Sequence, residues 1–260
     1  MSAIALRMAG ADLLKIRKKR STLIWALVLA LLPIAIFYGV NAAEHASNAS
    51  HEAAGGIDSF HTGLRLLGGV FFGPLVAILI GVEAGTTDQS NGVFRDLVVT
   101  GRSRLMLFAT RVPAALLLCW SVILAAFALI LVGTFAFAAD LPTPSGSAIV
   151  EGLGFVLLAT GVLCAVAVGF ASLVNSKPGA IIALIAWQVI ASPLISSISS
   201  LGSGREAVLT QAIAHFGPAG VRDMHGTEIA TSTGTAVAVI VVWLLAFLAL
   251  GAWRTATMDA

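Results

Sequence analysis

The sequence predicts an all-α polytopic membrane protein with six transmembrane helices, an N-terminal amphipathic interfacial helix and both termini in the cytoplasm. Three observations predict it. Of 260 residues, 58% are hydrophobic and only 11% charged, where a soluble domain carries about a quarter charged. Six windows (21–43, 66–82, 112–139, 152–176, 178–204 and 229–253) lack Asp, Glu, Lys, Arg and His altogether. The Lys and Arg residues are also placed unevenly. With the N-terminus inside, the inner segments hold twelve (Arg7, Lys15, Arg17, Lys18, Lys19, Arg20, Arg95, Arg102, Arg104, Arg111, Lys177 and Arg254), and the outer loops hold three (Arg65, Arg205 and Arg222). With five acids inside and eight outside, the inner side carries +7 and the outer side −5. That asymmetry sets the orientation.

Residues 1–20 form the interfacial helix. On a helical wheel Leu6, Ala9, Leu13 and Ile16 share one face. Arg7, Lys15, Lys18 and Lys19 gather opposite, Asp12 lies at the edge, and Arg17 adds to the basic count. Such a helix lies in the cytoplasmic interface with its cations toward lipid phosphates. The apolar run after Arg20 is 23 residues long, against about 7–15 for a signal-peptide core, so it reads as a retained anchor.

Spans are expected over 21–43, 66–83, 106–139, 152–176, 178–200 and 231–253. Crossing takes roughly 20 apolar residues. Each must be helical, because hydrocarbon leaves every backbone polar group to be satisfied within the chain. The second window, of 17 residues, puts Glu83 beside an interface. Pro33 falls in the first span, Pro74 in the second, and Gly69-x-x-x-Gly73 permits close helix approach. In the fifth span Pro178 suits the first turn and Pro193 kinks the helix, while Gln188 and Ser192 either line a path or, as the favoured reading, bond to a neighbouring helix. Cys119 and Cys164 fall inside apolar windows and read as small buried hydrophobes.

The outer segment 41–65, with His45, His51, His61, Glu44, Glu52 and Asp58, reads as a solvated acidic loop whose spacing matches no tight metal set. The outer loop 201–228 contains AVLTQAIAHFGPAGV, which reads as a short helix dipping into the outer leaflet; His225 and Glu228 beside it have no further partner for chemistry. No soluble domain fits between the spans. The only lysines are Lys15, Lys18, Lys19 and Lys177, none preceded by glycine, so the G-x-x-x-x-G-K phosphate cradle is missing. H-E-x-x-H and G-x-S-x-G are missing too. No ionisable residue stands at the centre of a span, which weighs against an ion-coupled secondary carrier.

The segment QSNGVFRDLVVTGRSRLMLFATR, residues 89–111, is more elaborate than a turn requires. Gly92 ends the preceding span. A short helix from Val93 puts Phe94, Leu97 and Val98 on one side, with Arg95, Asp96 and Val99 around the rest, and Gly101 ends it. Arg102 and Arg104 then anchor the third span at the headgroups. The residues alone leave two readings open: an ordinary basic loop obeying the positive-inside rule, or a knob offered to a cytoplasmic partner.

The pattern Asp88-x-x-x-Gly92-x-x-Arg95-x-Leu97-Val98-x5-Arg104, followed by Arg111, resembles the cytoplasmic segment after the second span of type 2 ABC-exporter permeases. The opening ADLLKIRKKRSTLIWALVLALLP resembles that family's N-terminal helix running into span one. The chain departs from the family at Val93, Gly101 and Arg111, where Thr, Pro and Lys are usual, and Asp88 takes the place of a Glu.

The resemblance implies a single permease domain over 1–260. The segment 89–104, through Gly92, Phe94, Arg95, Asp96, Leu97 and Val98, would couple to a separate ABC ATP-binding subunit. That subunit would bind the ATP and Mg, and this chain would hold no cofactor and catalyse nothing itself. A second permease copy or a paralogue would complete the path, in the multi-pass setting of a bacterial cell membrane and with no role for nucleic acid. The other readings of the residues are an accessory or sensor membrane protein, or a secondary carrier.

Overall fold

The computed structural model describes residues 3–47, 54–69, 71–90, 103–174, 176–222 and 231–257. Among these, all regular structure is helical, with no strand, and six helices are long and apolar enough to cross a membrane. α1 (Ala3–Lys18) is followed after one residue by α2 (Arg20–Ser47), the first span. The second span, Gly56–Asp88, is broken into α3 (Gly56–Gly68) and α4 (Phe72–Ser90). α5 (Arg104–Ala136), α6 (Gly146–Val174) and α7 (Lys177–Ser197) are spans three to five. A 3-10 stretch (Ser199–Ala207), α8 (Leu209–Ala214) and α9 (Ala219–Arg222) precede α10 (Thr233–Thr257), the sixth span.

Spans two and four are the centre of the bundle. In their most apolar windows 65% and 72% of residues are buried, against 22%, 22% and 17% for spans one, five and six. The α4–α6 contact is the most extensive, and its closeness rests on Gly81 and Gly85. A Cβ on Gly81 would lie 2.6 Å from the Cys164 carbonyl oxygen, and one on Gly85 would lie 2.7 Å from that of Val168. Gly81-x-x-x-Gly85 is therefore the working close-packing motif. The pair expected in that role, Gly69 and Gly73, stands instead at the break between α3 and α4. There Gly69 caps α3 through its N–H to the Arg65 carbonyl, 2.9 Å, and a Cβ on Gly73 would fall 1.6 Å from the Leu67 carbonyl oxygen.

The described parts of the loop expected over 41–65 are mostly helical rather than a solvated loop, and His51 and Glu52 lie outside the described residues. Residues 41–47 complete α2, and α3 inserts Phe60, Leu64 and Leu67, all fully buried, against α5 and α6. Its polar residues Asp58, His61 and Arg65 occupy the other side and interrupt the hydropathy that would have revealed it. Arg65 donates through Nη2 to the Gly220 carbonyl, tying α3 to α9. Tyr38 pins α2 to the bundle, its hydroxyl 2.8 Å from Thr134 Oγ1 of α5 and 3.3 Å from the Ser59 carbonyl.

The kink expected at Pro193 takes a specific form. Proline has no N–H to give the Val189 carbonyl, and the helix widens into a π turn over Trp187–Ala191, in which the Ser192 N–H bonds to the Trp187 carbonyl. The short helix expected in the last outer loop is α8, with Leu209, Ala212 and Ile213 buried. Cys119 and Cys164 are both buried and free.

Candidate functional site: a buried charge cluster

Charge concentrates at the end of the bundle that carries both termini. Thr110 Oγ1 of α5 donates to Asp12 of α1 at 2.8 Å, and Arg104 Nη1 donates to the Ala256 carbonyl of α10 at 3.2 Å. Between these contacts α4 presents two carboxylates. Glu83 is fully buried. Lys19 approaches it at 2.7 Å, Lys177 of α7 at 2.5 Å, Thr22 of α2 at 2.9 Å and Thr87 at 3.0 Å. One turn and a residue further on, Asp88 receives Arg111 Nη2 of α5 at 2.9 Å and Lys15 of α1 at 3.1 Å. Lys15 also reaches Asp12, 3.1 Å away. Arg111 is the largest fully buried side chain among the described residues, and its Nη1 donates to the Gly85 carbonyl at 3.4 Å.

Four cations (Lys15, Lys19, Arg111 and Lys177) thus meet three carboxylates (Asp12, Glu83 and Asp88), one positive charge in excess. The arrangement obeys a strict physical requirement. An isolated carboxylate in an apolar interior costs many kcal/mol, and a buried charge persists only when paired and hydrogen-bonded. Glu83 meets this with two ammonium groups and two hydroxyls. Lys15 lies outside the spans. Partial burial works against its charged form, but the Asp88 and Asp12 carboxylates outweigh that and hold its pKa above the ordinary lysine value.

The structure relocates several residues singled out in the sequence. Lys15 and Lys19, expected to face lipid phosphates, turn inward to Asp88 and Glu83. Ala5, Ala9 and Ile16 form the buried stripe of α1, Leu13 is half-buried beside it, and Leu6, Arg17 and Lys18 are exposed. Arg104, expected at the headgroups, bonds the last helix. Gly92, Phe94, Arg95, Asp96, Leu97 and Val98, as well as Arg102, His225 and Glu228, lie outside the described residues. Asp88 and Arg111, the two ends of the motif around them, are bonded to each other. Sequence reasoning missed that pairing. The available signal was two acids at the end of an otherwise uncharged span, since an ionisable residue at membrane depth implies a partner.

Comparison with models of known protein families finds none that matches this chain, and comparison with curated proteins finds no match either.

Proposed function

We propose that this chain is the permease subunit of an ATP-driven exporter of the type 2 ABC class, with both termini and the 89–104 segment in the cytoplasm of a bacterial cell. The observation that carries the reading is the Asp88–Arg111 pair, 2.9 Å apart and almost wholly buried. It joins the helix that enters the 89–104 segment to the helix that leaves it, and Lys15 adds α1 to the same carboxylate. A load applied to the segment by a docked partner would reach α4, α5 and α1 as one body, since a buried pair held by several partners yields far less than a solvated one. The chain contributes the path and the docking knob. An ATP-binding subunit supplies the nucleotide chemistry, because this sequence has no phosphate cradle.

The test is reconstitution. The chain should be purified alone and together with a candidate ATP-binding subunit. The pair is expected to hydrolyse ATP in a manner that responds to transported compounds, while the chain alone binds no nucleotide. Micromolar ATP binding by the isolated chain, or transport driven by an ion gradient without any ATPase, would overturn the reading. An accessory or sensor role would leave a stable complex that transports nothing.

A further inference from the structure

Away from the charge cluster, the bundle holds a partly open cavity of about 280 Å³. At about 30 Å³ per molecule this is room for about nine waters, and it approaches the lower end of small-molecule sites, about 300 Å³. Its two long walls differ in chemistry. α7 contributes Gln188, Ser192 and Ser196, four residues apart and 2%, 1% and 4% exposed. α6 contributes Phe155, Ala159 and Leu163, also four apart and all buried. The end wall is built from α8, where Thr210 pairs with Ser192, and from the α3–α4 break at Gly68 and Gly69.

Two irregularities of the fold meet at this cavity. The π turn over Trp187–Ala191 carries Gln188 on its inner side, and π turns within helices recur at functional sites. Backbone that departs from helix at membrane depth is tolerated where it lines a cavity, as the break at Gly69 does. A void lined only by hydrocarbon stays empty, whereas one with polar partners is occupied. Arg222 is the only charged lining residue among those described, and it is exposed at the rim.

We propose that this cavity is a binding site, within a single chain, for a small uncharged amphiphile. Its hydroxyl or amide group bonds the Gln188–Ser192–Ser196 wall and its apolar body lies against Phe155, Ala159 and Leu163. Among the described residues no charge stands between the two walls, which disfavours a charged headgroup there, since a buried ion needs a partner. The site does not depend on the chain being an exporter, and its occupancy is read without any transport assay.

The experiment is photolabelling of the full chain in lipid nanodiscs, with two diazirine probes of equal length: an eight-carbon alcohol and the matching hydrocarbon. Labelled residues are mapped by peptide mass spectrometry. The alcohol is expected to label residues 155–163 and 188–197 saturably, in competition with unlabelled octanol. Ala159→Phe, which fills the cavity, should abolish that labelling. Ser192→Ala with Thr210→Val, which keeps the volume, should weaken labelling by the alcohol about fivefold, the loss of one neutral hydrogen bond, and leave the hydrocarbon unchanged. Should Ala159→Phe fail to fold, the hydroxyl pair decides alone. Equal labelling by both probes, or unsaturable labelling no denser than on the exposed Val242 and Leu245 of α10, would overturn the proposal.

Discussion

Arg111 shows how one side chain constrains its surroundings. It is 2% exposed and spends two nitrogens on Asp88 and the Gly85 carbonyl. Removing one partner of a buried pair strands the other charge and commonly costs about 3–5 kcal/mol, while replacing both with apolar groups of similar size is often neutral. Asp88→Asn should therefore lower the melting temperature more than the double change Asp88→Asn with Arg111→Met, and a fluorescence-detected melt in detergent reads the order. Arg111→Lys should fall between them, because a lysine keeps the charge but not the forked reach to two acceptors. The Lys15 pairing has a defined pH window. Its folded pKa is raised, so its contribution is full below the unfolded lysine value and is lost only as pH rises through the raised one. It is complete at neutral pH. None of these partnerships was legible in the sequence. Asp88 and Lys15 are 73 residues apart and Glu83 and Lys177 are 94 apart, and a sign count assigns cations to a side of the membrane without assigning them to an acid.

At the scale of elements, length and hydropathy were enough to find six spans, since each long apolar run has no other way to satisfy its backbone. They were not enough to find α3. Its Phe60, Leu64 and Leu67 follow helical spacing, but Asp58, His61 and Arg65 fill the turns between them and lower the average. The close approach of α4 and α6 was likewise half legible: the glycine motif was sought at Gly69 and Gly73 and operates at Gly81 and Gly85. A methyl group at Gly85 meets both a backbone oxygen and the Ala171 Cβ, 2.8 Å away, and neither can move without shifting a helix. Gly85→Ala should cost about 1–3 kcal/mol as overpacking. Gly39→Ala, where nothing lies within 4 Å, should be neutral or slightly stabilising. Comparing the two by the same melt separates packing from the general effect of adding a methyl to a helix.

At the scale of the whole molecule, the charge asymmetry and the proposed coupling segment make one linked claim about sidedness and force. Cysteine placed at Ser50 and at Thr100 in a background lacking Cys119 and Cys164 should react with an impermeant reagent on intact cells only at position 50. Labelling at position 100 would reverse the orientation and remove the segment from any cytoplasmic partner. If the proposed coupling role holds, Phe94 and Leu97 would be the apolar anchors of the knob, and truncating an anchored side chain at an interface hot spot commonly costs about 2 kcal/mol or more. Phe94→Ala with Leu97→Ala should therefore release the proposed ATP-binding subunit or uncouple it, while the chain still inserts and melts as wild type does, because the Asp88–Arg111 clamp is untouched. Arg104→Ala should act differently. Its guanidinium bonds the end of α10, so its loss should lower the melt while leaving association nearly intact. A segment that serves only as a positive-inside loop reverses this order, with the apolar pair silent and the arginines deciding topology. Co-purification and transport measured for both variants against wild type distinguish the two, and full association and transport by the Phe94→Ala, Leu97→Ala variant would reduce the segment to a turn.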